Sequence, residues 1–322
     1  MRGFLVLAAR ILVSAALLYF ALRGINFADI QSRLAQNSRI WFLSWMALSV
    51  VTILVQVFLG AMRWQEISVH CQAPLVVPRA FRYNMIGTFF NQTLPSTIGG
   101  DAVRLWLVSR TAGWKHATYS VLVDRAVGLI ALAFLVVCSL PWSYRLISNE
   151  EGRLALTLVD LAAMSAGLGF LLLGYLPWRW LKTWWLTHHI HACSLVAKRV
   201  LFNYQSGPKI AALSLSVHIL NVVTAWCVVH SISAPATFAQ LFMLVPPIAL
   251  ITMLPISIAG WGVREATMMI AFGYAGLDQT DGTMVSLLSG ASTFVVGAIG
   301  GLVWILSSEK KEHVPDAIPK VD

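Results

Sequence analysis

The stretch FFNQTLPSTIGGDAVRLW, residues 89–106, decides the fold. It lies in an apolar region, Phe81 to Trp114, yet carries a proline and a glycine pair near its middle. Proline removes a backbone donor and glycine admits positive φ, so a helix entering this stretch should break there. A second region, Phe238 to Tyr274, repeats the pattern in LVPPIALITMLPISIAGWGVREATMMIAFGY. Non-helical backbone at membrane depth survives only when buried in protein or lining a cavity, so both breaks are expected inside the molecule. Two ordinary proline-kinked helices are the alternative interpretation of the same residues.

The two breaks are related to each other. Offset by 160 residues, LPSTIGGDAVR at 94–104 aligns with LPISIAGWGVR at 254–264, and six of eleven positions match without gaps. Leucine, isoleucine and valine matches are cheap in an apolar chain, whereas Pro95/Pro255, Gly100/Gly260 and Arg104/Arg264 in the same order are not. The pattern points to a duplication, with halves of about 1–160 and 161–308. Three clear spans separate the broken segments, so the second should enter from the opposite face to the first. Paired Gly/Pro-broken segments at corresponding positions of two halves mark the binding site of inverted-repeat transporters.

Composition sets the solvent. Charged residues make up 11% of the 322 and apolar residues 58%, against about 25% and 45–50% in soluble domains. The apolar residues fall in runs near 20, the length that crosses roughly 30 Å of hydrocarbon. Phe4 to Leu22, Ile40 to Gly60, Val121 to Leu140, Leu154 to Leu176, Ile210 to His230 and Met284 to Leu306 are six clear spans. The first lacks a small-x-small cleavage pattern and is expected to be a retained helix. The expectation is an all-α polytopic membrane protein of about six to eight transmembrane helices, with two broken or re-entrant segments in an inverted repeat. It forms one membrane domain over 1–308, followed by a short charged tail at 309–322.

Cys71, Cys138, Cys193 and Cys227 stand far apart without C-x-x-C spacing, which suggests neither zinc nor a redox pair. His188, His189 and His191 have no carboxylate or cysteine nearby to complete a ligand set, so no metal is expected. No G-x-x-x-x-G-K-[ST] loop is present, and no cofactor is expected. The net charge of +9 resides beside hydrophobic runs and not on one exposed stripe, which favours anionic lipid headgroups over nucleic acid. The segment 177–200, with Trp178, Trp180, Trp184 and Trp185 among bases, suits a helix lying in the headgroup layer.

Loop charges orient the chain by the positive-inside rule. If each broken segment enters and leaves on one side, both termini and the basic regions 61–82, 104–117 and 177–209 lie in the cytoplasm. Loops 231–236 and 276–283, outside, hold no Lys or Arg, although 23–39 and 141–153 dissent with Arg23, Arg33, Arg39, Arg145 and Arg153. The expected location is the cytoplasmic (inner) membrane, N-in and C-in.

Charges cluster at the breaks. Asp101 and Arg104 follow the first, Arg264 and Glu265 the second, and Asp124 with Arg125 opens a long apolar run. Each ionised group at the bilayer centre costs roughly 2.5–3.5 kcal/mol on insertion scales. A guanidinium suits bidentate phosphate recognition, and helix ends at a break present free N–H groups to the same anion, so Arg104 and Arg264 are expected to hold one lipid phosphate. Asn91, Gln92, Thr93, Ser96 and Thr97 add uncharged groups that can replace water on a headgroup or satisfy backbone freed beside proline. Asp124 and Arg125 could instead sit at the interface and pair with a neighbour. Asp160 and His218, alone in apolar spans, suit either an inter-helix hydrogen bond or a translocation path.

NQTLPSTIGGDAVR at 91–104, VDRAVGL at 123–129 and LPISIAGWGVREA at 254–266 resemble the flippase-like transmembrane domain of lysylphosphatidylglycerol synthases. The resemblance covers nearly the whole chain. It implies a lipid flippase or transport role, with Asn91, Pro95, Gly99, Gly100, Asp101, Arg104, Asp124, Arg125, Pro255, Gly260, Gly262, Arg264 and Glu265 at family-motif positions. Ala259 departs from the glycine expected in many members. The partners implied are phospholipids or polyprenyl-linked or hopanoid-type lipids, with a homo-oligomer or a separate lipid-modifying enzyme as a further possibility. The soluble aminoacyl-transfer domain of full-length synthases has no counterpart here, so an enzyme is not expected. The rival expectation is an intramembrane transferase on a lipid-linked substrate, with Asp101, Asp124 or Glu265 as base.

Overall fold

The computed structural model describes residues 2–23, 38–94, 99–147, 149–173, 185–253 and 260–307. Among them are ten helices and no strand. In chain order they are α1 (Arg2–Arg23), α2 (Arg39–His70), α3 (Val77–Thr93), α4 (Gly99–Leu146) and α5 (Glu150–Leu173). They continue as α6 (Trp185–Leu201), α7 (Gly207–Ser231), α8 (Phe238–Thr252), α9 (Val263–Tyr274) and α10 (Gln279–Leu306). Five of them, α2, α4, α5, α7 and α10, are long and apolar enough to cross a membrane. They contain the described parts of five of the six expected spans, and α1 occupies the first.

Both interrupted regions are helix–break–helix units. Pro78 starts α3, where a missing N–H is harmless, and the chain resumes as α4 after the first break. At 17, 15 and 12 residues, α3, α8 and α9 are shorter than the roughly 20 needed to span hydrocarbon. The first arm of α4 is short as well, because Gly113 leaves helical geometry with φ 76° and ψ 158°. The units α3–α4 and α8–α9 are therefore re-entrant in length.

Helix α2 packs along α7 as its antiparallel neighbour. Trp41 donates to the His230 carbonyl at one end (2.9 Å), and Lys209 pairs with Glu66 at the other. Helix α10 runs past both hairpins. Val303 and Trp304, near its C-terminus, pack on the cluster at the base of the first hairpin, whereas its N-terminus follows directly from α9. The two hairpin tips thus approach the middle of α10 from opposite ends, as the repeat predicts. Glycines make the approach close. A Cβ at Gly300 would fall 2.0 Å from the Met85 carbonyl oxygen, and one at Gly282 would fall 2.7 Å from that of Met268.

Two apolar cores flank this centre: Val229, Leu241, Phe272 and Val285 around the second hairpin, and Trp64, Ile86, Leu107 and Val108 around the first. Helix α6 differs from a helix resting only on headgroups, since Cys193, Ala197 and Val200 are buried against Ile67, Val123 and Ile210. Residues 177–184, expected to share that interfacial role, and the tail 309–322 lie outside the described residues.

Candidate functional site

The first hairpin is closed by glycine contact. The Gly100 N–H donates to Asn91 Oδ1 (2.8 Å), satisfying one of the donors that every helix start leaves open. A Cβ at Gly100 would fall 2.1 Å from the Gly87 carbonyl oxygen, and one at Gly99 would strike Leu94. Asn91, Gly99 and Gly100 are thus brought together as the clasp of the turn. Gln92 packs beside Gly297 of α10.

Below this clasp lies a buried charge network. Asp124, 2% exposed, accepts from Arg63 Nε (2.9 Å) and Arg104 Nη2 (2.9 Å). Arg104 Nη1 reaches Asp101 (3.0 Å), and Arg125 donates to the same carboxylate through Nε and Nη2. The Arg104 guanidinium also stacks 4.0 Å over Trp64, a cation–π contact. Three arginines against two aspartates leave one excess positive charge, and Arg125, its side chain 44% exposed, is the open end.

Two members of this assembly escape a reading of the sequence. Arg63 sits near the end of α2 among other basic residues, so nothing in its neighbourhood marks it. Gly128 is needed because a Cβ there would lie 3.1 Å from the Arg63 guanidinium. His218 resolves to an inter-helix hydrogen bond, its Nε2 2.9 Å from the Gly128 carbonyl.

The second hairpin builds a smaller version. Gly260 and Gly262 take φ of +82° and +86°, the left-handed region glycine favours. The Gly262 N–H donates to Glu265 Oε2 (2.6 Å), while Oε1 accepts from Arg264 Nη2 (2.8 Å) and from the Ser286 hydroxyl (2.9 Å). Glu265 is fully buried. Arg264 lies 5.0 Å from the Trp261 ring centre, and a Cβ at Gly290 would fall 2.2 Å from its Nη2. Each repeat arginine is therefore stacked on a tryptophan, paired with a carboxylate and crowded by a glycine. Pro95 and Pro255 lie outside the described residues.

Between the hairpins is a cavity of about 400 Å³. Arg264 is its one charged lining residue among those described; Gln56, Thr88, Asn221, Thr224 and Ser286 supply amides and hydroxyls. Thr224 accepts from Gln56 Nε2 (2.8 Å) and meets Thr52 Oγ1 (2.8 Å), tying α2 to α7 beneath the cavity. Arg104, Asp101, Asp124 and Arg125 do not line it. The expectation that Arg104 and Arg264 hold one phosphate therefore meets two separate clusters. The physical reason is that Asp101 and Asp124 take both Nη groups of Arg104, whereas Glu265 takes only one side of Arg264.

These features define a multi-pass helical membrane protein with two helical hairpins around a polar interior. The chain belongs to the family described as the lysylphosphatidylglycerol synthase TM region, whose model matches residues 7–301. Neither the curated proteins nor the solved structures contain a match. Membership places the chain among membrane proteins of lipid metabolism or transport.

Proposed function

We propose that the protein is a lipid flippase of the cytoplasmic membrane, N-in and C-in, that carries a phosphate-bearing or glycosylated headgroup past the two hairpins while the acyl or prenyl tails stay in lipid. The observation that carries this reading is the polar cavity between the hairpin tips, with Arg264 facing hydroxyls and amides. Such a lining replaces water on a headgroup, and a guanidinium partly occupied by Glu265 keeps donors for an anion. Transport is favoured over a transferase because Asp101, Asp124 and Glu265 are each held by arginine, which suits a carboxylate to structure more than to proton abstraction. The Asp101–Asp124 network supports the first hairpin and leaves headgroup contact to the cavity.

Purified protein reconstituted in vesicles should speed transbilayer movement of a labelled phosphatidylglycerol without ATP. Arg264→Lys should slow it strongly, since lysine keeps charge but loses the fork, and Arg199→Lys on the exposed face of α6 should change little. Unchanged transport by a well-folded Arg264→Lys variant would exclude Arg264 from the headgroup site, and chemical conversion of the lipid without movement would favour a transferase.

A further inference from the structure

Asp160 is a buried acid of α5. Asp101, Asp124 and Glu265 are each paired with arginine. Asp160 is 3% exposed, and among the described residues neither carboxylate oxygen has a hydrogen-bond or ion-pair partner. An isolated ionised carboxylate in such a place costs far more than the helix around it can return, and a group so placed takes up a proton instead.

Its position gives this a use. Leu156 and Ala163, about one turn before and after it on the same face of α5, line two apolar cavities. The first, about 150 Å³, is walled across from α5 by Met243, Pro247 and Ile248 of α8. Ile248 also lines the polar cavity, so α8 alone separates the face bearing Asp160 from the interior that holds Arg264. Pro247 has no N–H, which leaves the Met243 carbonyl without its helical donor on this wall. The Met243 carbonyl is thus an open acceptor on the helix that faces α5 across this cavity, and no hydrogen bond joins it to Asp160.

Among the described residues around it, none supplies a compensating charge. Helix α8 has no titratable side chain. On α4, the contact of Gly167 with Ile130 sets residues near 133–140 opposite Asp160, where Cys138 alone titrates. Tyr144, further along α4, is bonded to Thr157, and Arg153 donates to the Ile147 carbonyl. Tyr274 of α9 rests on Gly152. Helix α6 meets α5 where Ser194 donates to the Phe170 carbonyl, ten residues or about 15 Å along α5, so His189, His191 and Cys193 belong to that end.

We propose that Asp160 is a proton-binding site that holds a neutral carboxylic acid against α8 and exchanges its proton as the second hairpin moves. The coupling to movement rests on the flippase reading; the protonated site does not. Dicyclohexylcarbodiimide, which is lipid-soluble, tests the site directly. The acid proton passes to one carbodiimide nitrogen, the carboxyl oxygen bonds to the central carbon, and the resulting O-acylisourea rearranges to a stable N-acylurea with every atom retained. Mass spectrometry of the labelled wild-type protein should find the adduct on Asp160 and not on Asp101, Asp124 or Glu265, with yield falling as pH is raised. An unlabelled Asp160 peptide, or equal labelling of the paired acids, overturns the proposal. In vesicles, an imposed pH gradient should alter lipid movement by wild type and by Asp160→Glu but not by Asp160→Asn. Gradient dependence that survives Asp160→Asn overturns the coupling. If wild type moves no lipid while Asp160 still labels, the flippase reading fails and the proton site stands.

Discussion

Asp124 holds two guanidinium groups at once, each through a different carboxylate oxygen. Removing its charge leaves Arg63 and Arg104 buried with one negative partner, Asp101, between Arg104 and Arg125. Breaking a buried pair from one side costs about 3–5 kcal/mol, chiefly through the stranded charge. Asp124→Asn should therefore lower the thermal midpoint of the purified protein in detergent markedly, and Arg63→Gln added to it should recover part of the loss. Arg125→Lys, at the exposed end of the network, should shift the midpoint little. Asp101, Arg104, Asp124 and Arg125 were legible because charges are conspicuous in apolar sequence. Their mutual pairing was legible only as an alternative, since the sequence does not say which of several arginines reaches Asp124. Arg63 shows why: its role depends on α2 running past Gly60 to His70, and no local signal separates it from a basic interfacial residue.

At the scale of elements, the hairpins rest on backbone contact. Gly100→Ala would drive a methyl group into the Gly87 carbonyl and displace Asn91 from the Gly100 N–H. Overpacking of this kind costs typically about 1–3 kcal/mol. The matching control is Gly169→Ala on α5, where nothing lies within 4 Å of a new Cβ; helix propensity alone should there stabilise by up to ~1 kcal/mol. Thermal unfolding of the two variants should thus move in opposite directions, and a neutral Gly100→Ala would remove the clasp from the account of the fold. Both breaks were readable because Pro, Gly and a polar run interrupt apolar sequence. The cavity was not. Gln56, Asn221, Thr224, Ser286 and Thr88 are isolated polar residues on three helices, α2, α7 and α10, and one hairpin arm, α3, and only packing gathers them.

For the whole molecule, side-chain contacts sort the loops into two ends. Ile147, Asn149 and Glu150, with 232–237 and 275–278, lie at the Trp41–His230 end, and 71–76, Gly113 and 202–206 at the Glu66–Lys209 end. Arg79, Arg82, Arg110, Lys115, Lys198 and Arg199 gather at the second end, while Glu150, Glu151 and Asp278 accompany Arg39, Arg145 and Arg153 at the first. In the proposed N-in, C-in orientation the second end is the cytoplasmic one. In a cysteine-free background, single cysteines replacing Glu150 and Pro235 should react with an impermeant maleimide on intact cells, and one replacing Tyr204, 94% exposed, only after permeabilisation. The reverse pattern would invert the molecule. Gly282, in a loop expected outside, is instead buried against Phe272 and would not serve as a labelling position. The row of glycines on α10 bears on more than packing. One stiff rod rests against the second hairpin at Gly282 and Gly290 and against the first at Gly297, Gly300 and Gly301. The hydroxyl bond of Ser49 and Ser292 lies between those contacts, so a tilt of α10 about it would press on one hairpin as it slackens the other, as the two arms of a balance cannot both rise.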